Sequence, residues 1–305
     1  MLISSITDCL IRDGASAREY FPIFKKAGVD AVDFSFSALC TYSDISHKKL
    51  TNDVFDLPHD EMISFFKEIR DAAKDNGVVF GQTHAPYPSQ IVMDGYEELN
   101  AYVLNIIHKC IEVTALFGCK YIVIHPVFPK YDDTKSREEE FEDNVKFYSS
   151  LIPTLKKFGV VACLENMYGD FKGKRYGLVC SDFHEANRYI ETLNSIAKEE
   201  LFGFCFDSGH ATICSQDLGR SVEILGKNIK VLHLHDVDGA NDNHTLAFFG
   251  VADWERLFLA LKKIGYDGNL NFEVYKVWRS FPKEIIPQAI NLLGATGKYF
   301  KDKYF

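Results

Sequence analysis

The chain has 305 residues, of which 47% are hydrophobic, and it carries a formal net charge of −9. This length and hydrophobic content are enough for one large α/β barrel, which typically needs about 250 residues. The acidic balance argues against a broad basic surface for binding nucleic acid or an anionic membrane.

The eight cysteines show no CxxC spacing, and several of them lie in apolar, strand-like runs. This pattern favours reduced, mostly buried thiols. The first residues, MLISSITDCLIRD, have no basic leader and reach acidic residues too early for a signal peptide. No stretch reaches about 18 uninterrupted apolar residues, the length that a membrane-spanning helix needs. We therefore expect a cytoplasmic protein with no membrane partner.

Short apolar segments alternate with longer helical patterns along the whole chain, and this alternation predicts a parallel sheet. The predicted strands, in chain order, are residues 2–5, 31–36, 78–85, 121–126, 160–166, 204–206, 229–236 and 269–274. The predicted helices are residues 16–27, 60–76, 96–117, 135–159, one that opens at 181–185, then 253–264 and 282–300.

Two predicted connections are long, an irregular polar segment over 42–58 and a Gly- and Lys-containing loop over 169–177. The charged run from Lys135 to Glu142 is most simply the solvated start of a helix. No Pro/Ser-rich linker divides the chain. The sequence therefore predicts one domain over residues 1–305, folded as a single (β/α)8 TIM barrel.

The predicted sixth strand begins the segment FCFDSGHA, an apolar run that ends in Asp207 and is followed by His210. A carboxylate at the end of a buried strand with a nearby imidazole is an arrangement that metal ions favour. An isolated Asp-Ser-Gly-His segment is more often a capped turn with a surface histidine. Here the segment is not isolated, since similar groups end the neighbouring strands.

Six consecutive predicted strands, the third to the eighth, end in carboxylates or imidazoles. Because a TIM barrel gathers the carboxyl ends of its strands at one mouth, these groups are expected to converge there. Gathering them is costly unless a divalent cation compensates the carboxylates, and oxygen and imidazole donors favour Mn²⁺, Mg²⁺, Co²⁺ or Zn²⁺. The candidates, which include two residues after the seventh strand, are His84, His125, Glu165, Asp207, His210, His233, His235, Asp242, His244 and Glu273.

The segments that carry these residues resemble the xylose-isomerase-like TIM-barrel superfamily. The resemblance covers residues 80 to 275. The superfamily includes sugar-phosphate isomerases and epimerases, inosose dehydratases, ketose 3-epimerases and the AP endonuclease IV branch, which is also called AP endonuclease family 2. The segments are THAPYP, IVIHP, CLEN, CFDSGHA, LHLHD, DNH, FFGVADW and NFEV.

The resemblance to the ketose epimerases implies one divalent metal ion. It implies that Glu165, Asp207, His233 and Glu273 bind this ion, and that the two glutamates also act as catalytic acid and base. His233 is preferred to His235 because the family's ligand histidine is followed three residues later by an acidic residue, here Asp236. The remaining candidates, His84, His125, His210, His235, Asp242 and His244, are possible further metal or substrate ligands.

From the residues alone, proton transfer beside a carbonyl needs a base, a group that returns the proton and an electrophile, and a metal ion can be that electrophile. We therefore predict a metal-dependent sugar or sugar-phosphate isomerase or epimerase with a small carbohydrate substrate. A sugar or polyol dehydratase is a close variant, because β-elimination begins with the same proton abstraction. A barrel that binds a sugar without turnover would be expected to have lost ligands, and the set is intact.

The alternative from another class is a zinc-dependent AP endonuclease, for which the resemblance implies up to three Zn²⁺ ions. Against it, Pro86-Tyr87-Pro88 replaces the asparagine-rich loop of that branch, and an acidic chain is a poor duplex binder.

Two further hypotheses concern the surface. Lys172, Lys174 and Arg175 would be available to a substrate phosphate, and Phe248 with Phe249 would form a contact in a homo-oligomer.

Overall fold

The computed structural model describes residues 1–127 and 136–305. Ten strands lie in these residues, eight in one parallel sheet and two in a separate antiparallel hairpin. The strands are β1 Ile3–Ile6, β2 Ala31–Ser35, β3 Val79–His84, β4 Tyr121–Val123, β5 Val161–Glu165, β6 Tyr168–Phe171, β7 Lys174–Gly177, β8 Phe202–Asp207, β9 Ile229–His233 and β10 Leu270–Phe272.

Helices follow the barrel strands and pack on the outside of the sheet. They are α1 Gly14–Lys26, α2 Tyr42–Ser46, α3 His59–Asp75, α4 Glu97–Leu116, α5 Arg137–Phe158, α6 Phe183–Ala197, α7 Ser208–Ile213, α8 Leu218–Leu225, α9 Trp254–Lys263, α10 Tyr275–Ser280 and α11 Ile286–Tyr304. Among the described residues, none of these helices is both long and apolar enough to cross a membrane.

The large sheet closes on itself. Its order is β10-β1-β2-β3-β4-β5-β8-β9, with β10 paired in parallel to β1. The gap between β9 and β10 is bridged by Leu234, whose backbone N–H donates to Asn271 O at 2.8 Å and whose carbonyl accepts from Glu273 N at 3.0 Å. The predicted (β/α)8 TIM barrel is confirmed.

The end signals of α5 are clear in the sequence. Ser136 and Glu139 form a capping box, in which each side chain accepts from the other residue's backbone N–H, and Gly159 ends the helix at a positive φ of 67°. Lys135, the first residue of the predicted charged run, lies outside the described residues, and the rest of that run begins α5.

Four segments differ from the prediction, and one of them is the chain between β8 and β9, which forms α7 and α8 although no helix was predicted there. Residues 169–177, expected as a loop, form most of the β6–β7 hairpin, which turns at Lys172 and Gly173 with positive φ of 52° and 79°. The 42–58 segment, expected to be irregular, contains α2, which Thr41 and Asp44 begin with a capping box. Helix α10 follows β10 directly, where no separate helix was predicted.

Part of the barrel interior is filled by a small apolar cluster of Val123, Val161, Cys163, Cys205 and Val231. Side chains two residues apart on a strand point to the same face. Glu165, Asp207 and His233 each lie two residues beyond a member of this cluster. They therefore continue the inward-facing columns of β5, β8 and β9 toward the mouth.

Candidate metal centre

All ten predicted donor residues lie at the carboxyl-terminal mouth of the barrel. Each lies at a strand end or shortly after one, and only His125 and Asp242 are more than slightly exposed, at 11% and 15% of their side-chain surface. The donor residues include three groups, within each of which the ligand atoms lie within 4.8 Å of one another, and two of these groups share Glu165 and His233. The groups are Glu165 with Asp207, His233 and Glu273; His210 with His235, Asp242 and His244; and His84 with Glu165 and His233.

The first group, called the carboxylate cluster below, is centred on Nδ1 of His233. This atom lies 3.3 Å from Glu165 Oε2, 3.6 Å from Glu273 Oε2 and 3.9 Å from Asp207 Oδ2. His233 Nδ1 is buried without a hydrogen-bond partner. An unpartnered buried polar atom is costly, and a cation bound among these side chains would satisfy it.

Asp33 sets the orientation of His233, a role that the sequence analysis missed. The Nε2–H of His233 donates to Asp33 Oδ2 at 3.2 Å, and Asp33 also accepts from Gln82 Nε2 at 2.9 Å and Asn271 Nδ2 at 3.2 Å. Because a carboxylate only accepts, the neutral ring holds its proton on Nε2 and turns the Nδ1 lone pair toward the carboxylate cluster. The signal in the sequence was a single charged residue inside the strand AVDFS.

The second group, called the histidine cluster, contains three imidazoles and Asp242. His210 Nδ1 lies 2.8 Å from the carbonyl oxygen of Asn166, and His244 Nδ1 lies 3.0 Å from that of Glu273. Because a carbonyl oxygen only accepts, each ring in its neutral form holds its proton there and presents Nε2 to the cluster.

His235 links the two clusters. Its Nε2 lies 3.0 Å from both carboxylate oxygens of Asp207, and its ring stacks on His244 with centroids 4.0 Å apart. Its Nδ1 lies 3.9 Å from Asp242 Oδ1, and both atoms lack a hydrogen-bond partner. This cluster therefore fits a cation of the Zn²⁺ or Co²⁺ type, for which imidazole is a good ligand.

His84 and His125 approach the same oxygen of Glu165, Oε2, that His233 Nδ1 faces. His125 Nε2 is 2.9 Å from Glu165 Oε2 and 3.1 Å from His84 Nε2, while His84 Nδ1 donates to the carbonyl of Ala85 at 2.7 Å. Glu165 is thus shared between this pair and the carboxylate cluster. The three groups form one continuous polar centre.

Charge compensation dominates the electrostatics. Burial raises the pKa of Glu165, but the imidazoles, first that of His233, outweigh it and hold the pKa of Glu165 well below its ordinary value. Burial lowers the pKa of His244, but Asp242 and then Glu273 outweigh it and raise this pKa to about 10. Protonated imidazoles thus balance the carboxylates, and a bound divalent cation would supply the same compensation in exchange for protons.

Asp236, the acidic residue that guided the choice of His233, points away from the donors. Its Oδ1 accepts from the backbone N–H groups of Val237 and Ala252, and its Oδ2 from Phe248 N and the indole N–H of Trp254, all at 3.0 Å. Asp236 therefore fixes the loop that carries Asp242 and His244.

The centre opens into a cavity of about 760 Å³, within the size range of small-molecule sites. Glu165, Glu273 and His210 line it, and so do Tyr87 and Tyr275. The basic residues of the hairpin do not line it. Arg175, on that hairpin, donates to Asp170 Oδ2 and to the carbonyl of Ala240, each at 2.8 Å.

A closed eight-stranded barrel with a buried centre of potential metal donors at its carboxyl-terminal mouth defines a TIM barrel with a candidate metal centre. Residues 21–296 match the family described as xylose isomerase-like TIM barrel, and the chain belongs to this family.

Similar proteins differ in the activity that their names state. The chain is 25% identical over 234 residues to an uncharacterized protein of Methanocaldococcus jannaschii, covering 76% of this chain and 75% of that one. It is 26% identical over 214 residues to a probable endonuclease 4 of Mycoplasmoides gallisepticum, covering 66% and 61%. A D-allulose 3-epimerase structure from Methylomonas sp. superposes with a TM-score of 0.71 at 16% identity, covering 100% and 98%, and this likeness concerns the fold alone.

Proposed function

We propose that the protein is a divalent-metal-dependent sugar or sugar-phosphate isomerase or epimerase. The observation that carries the proposal is the convergence of Glu165 and Glu273 on one cluster, where both carboxylates lie within 4 Å of His233 Nδ1. Both carboxylates also line the same cavity.

The two glutamates are suited to opposite proton transfers. Glu165 ends β5 and Glu273 follows β10, so they reach the centre from separated strands. A substrate held between them presents one face to each carboxylate. In our proposal one glutamate removes the proton beside the substrate carbonyl and the other returns a proton.

The cofactor in this proposal is one divalent ion, Mn²⁺, Co²⁺, Mg²⁺ or Zn²⁺, bound by Glu165, Asp207, His233 and Glu273. When bound, such an ion supplies an electrophile that stabilises negative charge on the substrate oxygens. Asp33 keeps His233 oriented, and His235 holds the carboxylate of Asp207. Dehydration of a sugar or polyol is the variant that begins with the same step.

A zinc-dependent AP endonuclease is the second candidate, and two observations favour it. The histidine cluster and the His84–His125 pair offer donors for two ions beyond the carboxylate cluster, and relatives named probable endonuclease 4 match the chain. Against it, the chain has a net charge of −9. Phosphate contacts from cations supply most of the affinity for DNA, so such a chain is poorly suited to a duplex.

We also keep two proposals about context. All eight cysteines are free thiols, which supports a reducing compartment such as the cytoplasm. Phe248 and Phe249 are 59% and 71% exposed, which supports a homo-oligomer contact at this loop. Sedimentation of the wild type beside a Phe249→Ser variant would test the contact, and an unchanged monomeric profile would contradict it.

The decisive experiment combines metal content with two activity assays. Protein purified without chelator is analysed by elemental mass spectrometry, ketoses are screened for solvent-deuterium incorporation, and abasic DNA is tested for incision. About one ion per chain with deuterium incorporation and no incision supports the proposal. Nearly three zinc ions with incision would replace it with the nuclease.

A further inference from the structure

The cavity has a second wall that is built without metal donors. The donor residues follow six of the barrel strands, β3, β4, β5, β8, β9 and β10, whereas the segments after β1 and β2 contribute none. Those two segments line the same cavity with Arg12, Ser37 and Ser43. The mouth therefore has a donor side and a side that offers a guanidinium group and hydroxyl groups.

Arg12 has an uncompensated charge. It is exposed, and within residues 1–127 and 136–305 no ion pair or hydrogen bond of its guanidinium group is present; only its backbone N–H is used, in a bond to Ser16 Oγ. The other guanidinium group that lines the cavity belongs to Arg279 and is held by Asp8 at 2.6 Å. Asp8 is therefore neutralised, and Arg12 leaves one free positive charge on this wall.

A guanidinium group without a partner among the described residues, together with hydroxyl groups that line the same cavity, suits an anionic oxygen group. Arginine binds carboxylate or phosphate through two parallel hydrogen bonds, and such charge-assisted bonds are stronger than neutral ones. The cavity of about 760 Å³ continues from this wall to Glu165 and Glu273. A ligand can therefore lie across it with one end at each side.

We propose that Arg12, with Ser37 and Ser43, forms a subsite for an anionic group, a phosphate or a carboxylate, at the far end of a sugar substrate. This inference rests on the proposed function and narrows the substrate class to acidic sugars whose carbonyl end lies at the carboxylate cluster. It also moves the expected phosphate site, because Lys172, Lys174 and Arg175 do not line the cavity.

The test is a binding experiment with matched ligand pairs on the metal-loaded protein. Ketopentoses and ketohexoses are compared by calorimetry with their terminal phosphate esters, and hexoses with the corresponding hexuronates. We expect the wild type to bind at least one acidic member more tightly than its neutral partner. Arg12→Gln should lower the affinity for that acidic ligand about tenfold and leave the affinity for the neutral partner unchanged. Arg12→Lys should have an intermediate affinity, because lysine keeps the charge but cannot form two parallel hydrogen bonds.

Arg18→Gln is the matched control, because Arg18 lies on α1, pairs with Glu68 and does not line the cavity. The proposal is overturned when no acidic ligand binds more tightly than its neutral partner, or when Arg12→Gln keeps the wild-type preference. The ligand pair with the larger difference in affinity shows whether the subsite binds a phosphate or a carboxylate. Arg12-dependent binding without deuterium incorporation in any ligand would support the subsite and reject the proposed reaction.

Discussion

Asp33 Oδ2 and His233 Nε2 lie 3.2 Å apart inside the barrel, and both side chains are fully buried. The two residues come from β2 and β9, which are not adjacent in the sheet. This contact fixes which nitrogen of His233 faces the carboxylates. Asp33 does not line the cavity, yet it determines the orientation of His233 Nδ1, the atom at the centre of the carboxylate cluster.

Asp33→Asn should weaken metal binding about 10- to 100-fold, the usual effect of losing such a supporting partner. The amide can donate to Nε2, which favours the tautomer with its proton on Nδ1, the nitrogen needed for the metal. Competition against a chelator of known affinity measures the change. Asp30→Asn, which removes an exposed ion pair with Lys25, is the control, and equal affinities of the two variants would contradict the role of Asp33.

The positions of the donor residues could be predicted from the sequence because all strands of a parallel barrel end at the same mouth. Glu165 and Asp207 end apolar strands, and the fold alone brings such residues together. Asp33 was missed because its role depends on a partner 200 residues away, which no local pattern reveals. The hairpin over 169–177 was missed because its turn, Lys172-Gly173, lacks the Asn-Gly or Asp-Gly signal of a tight hairpin.

Glu165→Gln and Glu273→Gln should each lower solvent-deuterium incorporation by at least about 10²-fold, because an amide cannot exchange a proton with the substrate. The amide oxygen keeps a possible ligand atom, so metal content is measured in parallel to separate proton transfer from metal loss. Glu223→Gln, on the exposed surface of α8, is the control. A variant with normal metal content and near-normal exchange would remove that glutamate from the acid–base role.

Asp242→Asn separates the one-metal enzyme from the multi-metal nuclease. Asp242 belongs to the histidine cluster and not to the carboxylate cluster, so deuterium incorporation should change little. In a nuclease that needs several zinc ions, the same substitution should lower both the zinc count and incision severely. Exchange that collapses together with loss of a second ion would show that the histidine cluster takes part in the sugar reaction.

Trp254→Phe should destabilise the loop after β9 without removing a metal donor. The indole N–H is one of four donors to the fully buried Asp236, and losing it leaves a carboxylate oxygen less well satisfied. The expected cost is about 1–3 kcal/mol of the free energy of unfolding. Chemical denaturation measures it. A loss below about 0.5 kcal/mol would argue that Asp236 does not depend on this bond.

Gly209 and His235 should behave as one unit, because the imidazole of His235 packs directly on the backbone of Gly209. A Cβ atom at Gly209 would lie 1.9 Å from Cε1 of His235, too close for any side chain. Gly209→Ala should therefore displace the ring, cost about 1–3 kcal/mol and loosen the bond from His235 to Asp207. In a His235→Ala background the added methyl group has room, so Gly209→Ala should cost much less there. A double-mutant cycle by chemical denaturation measures this coupling. Equal costs in both backgrounds would mean that the glycine is required for another reason.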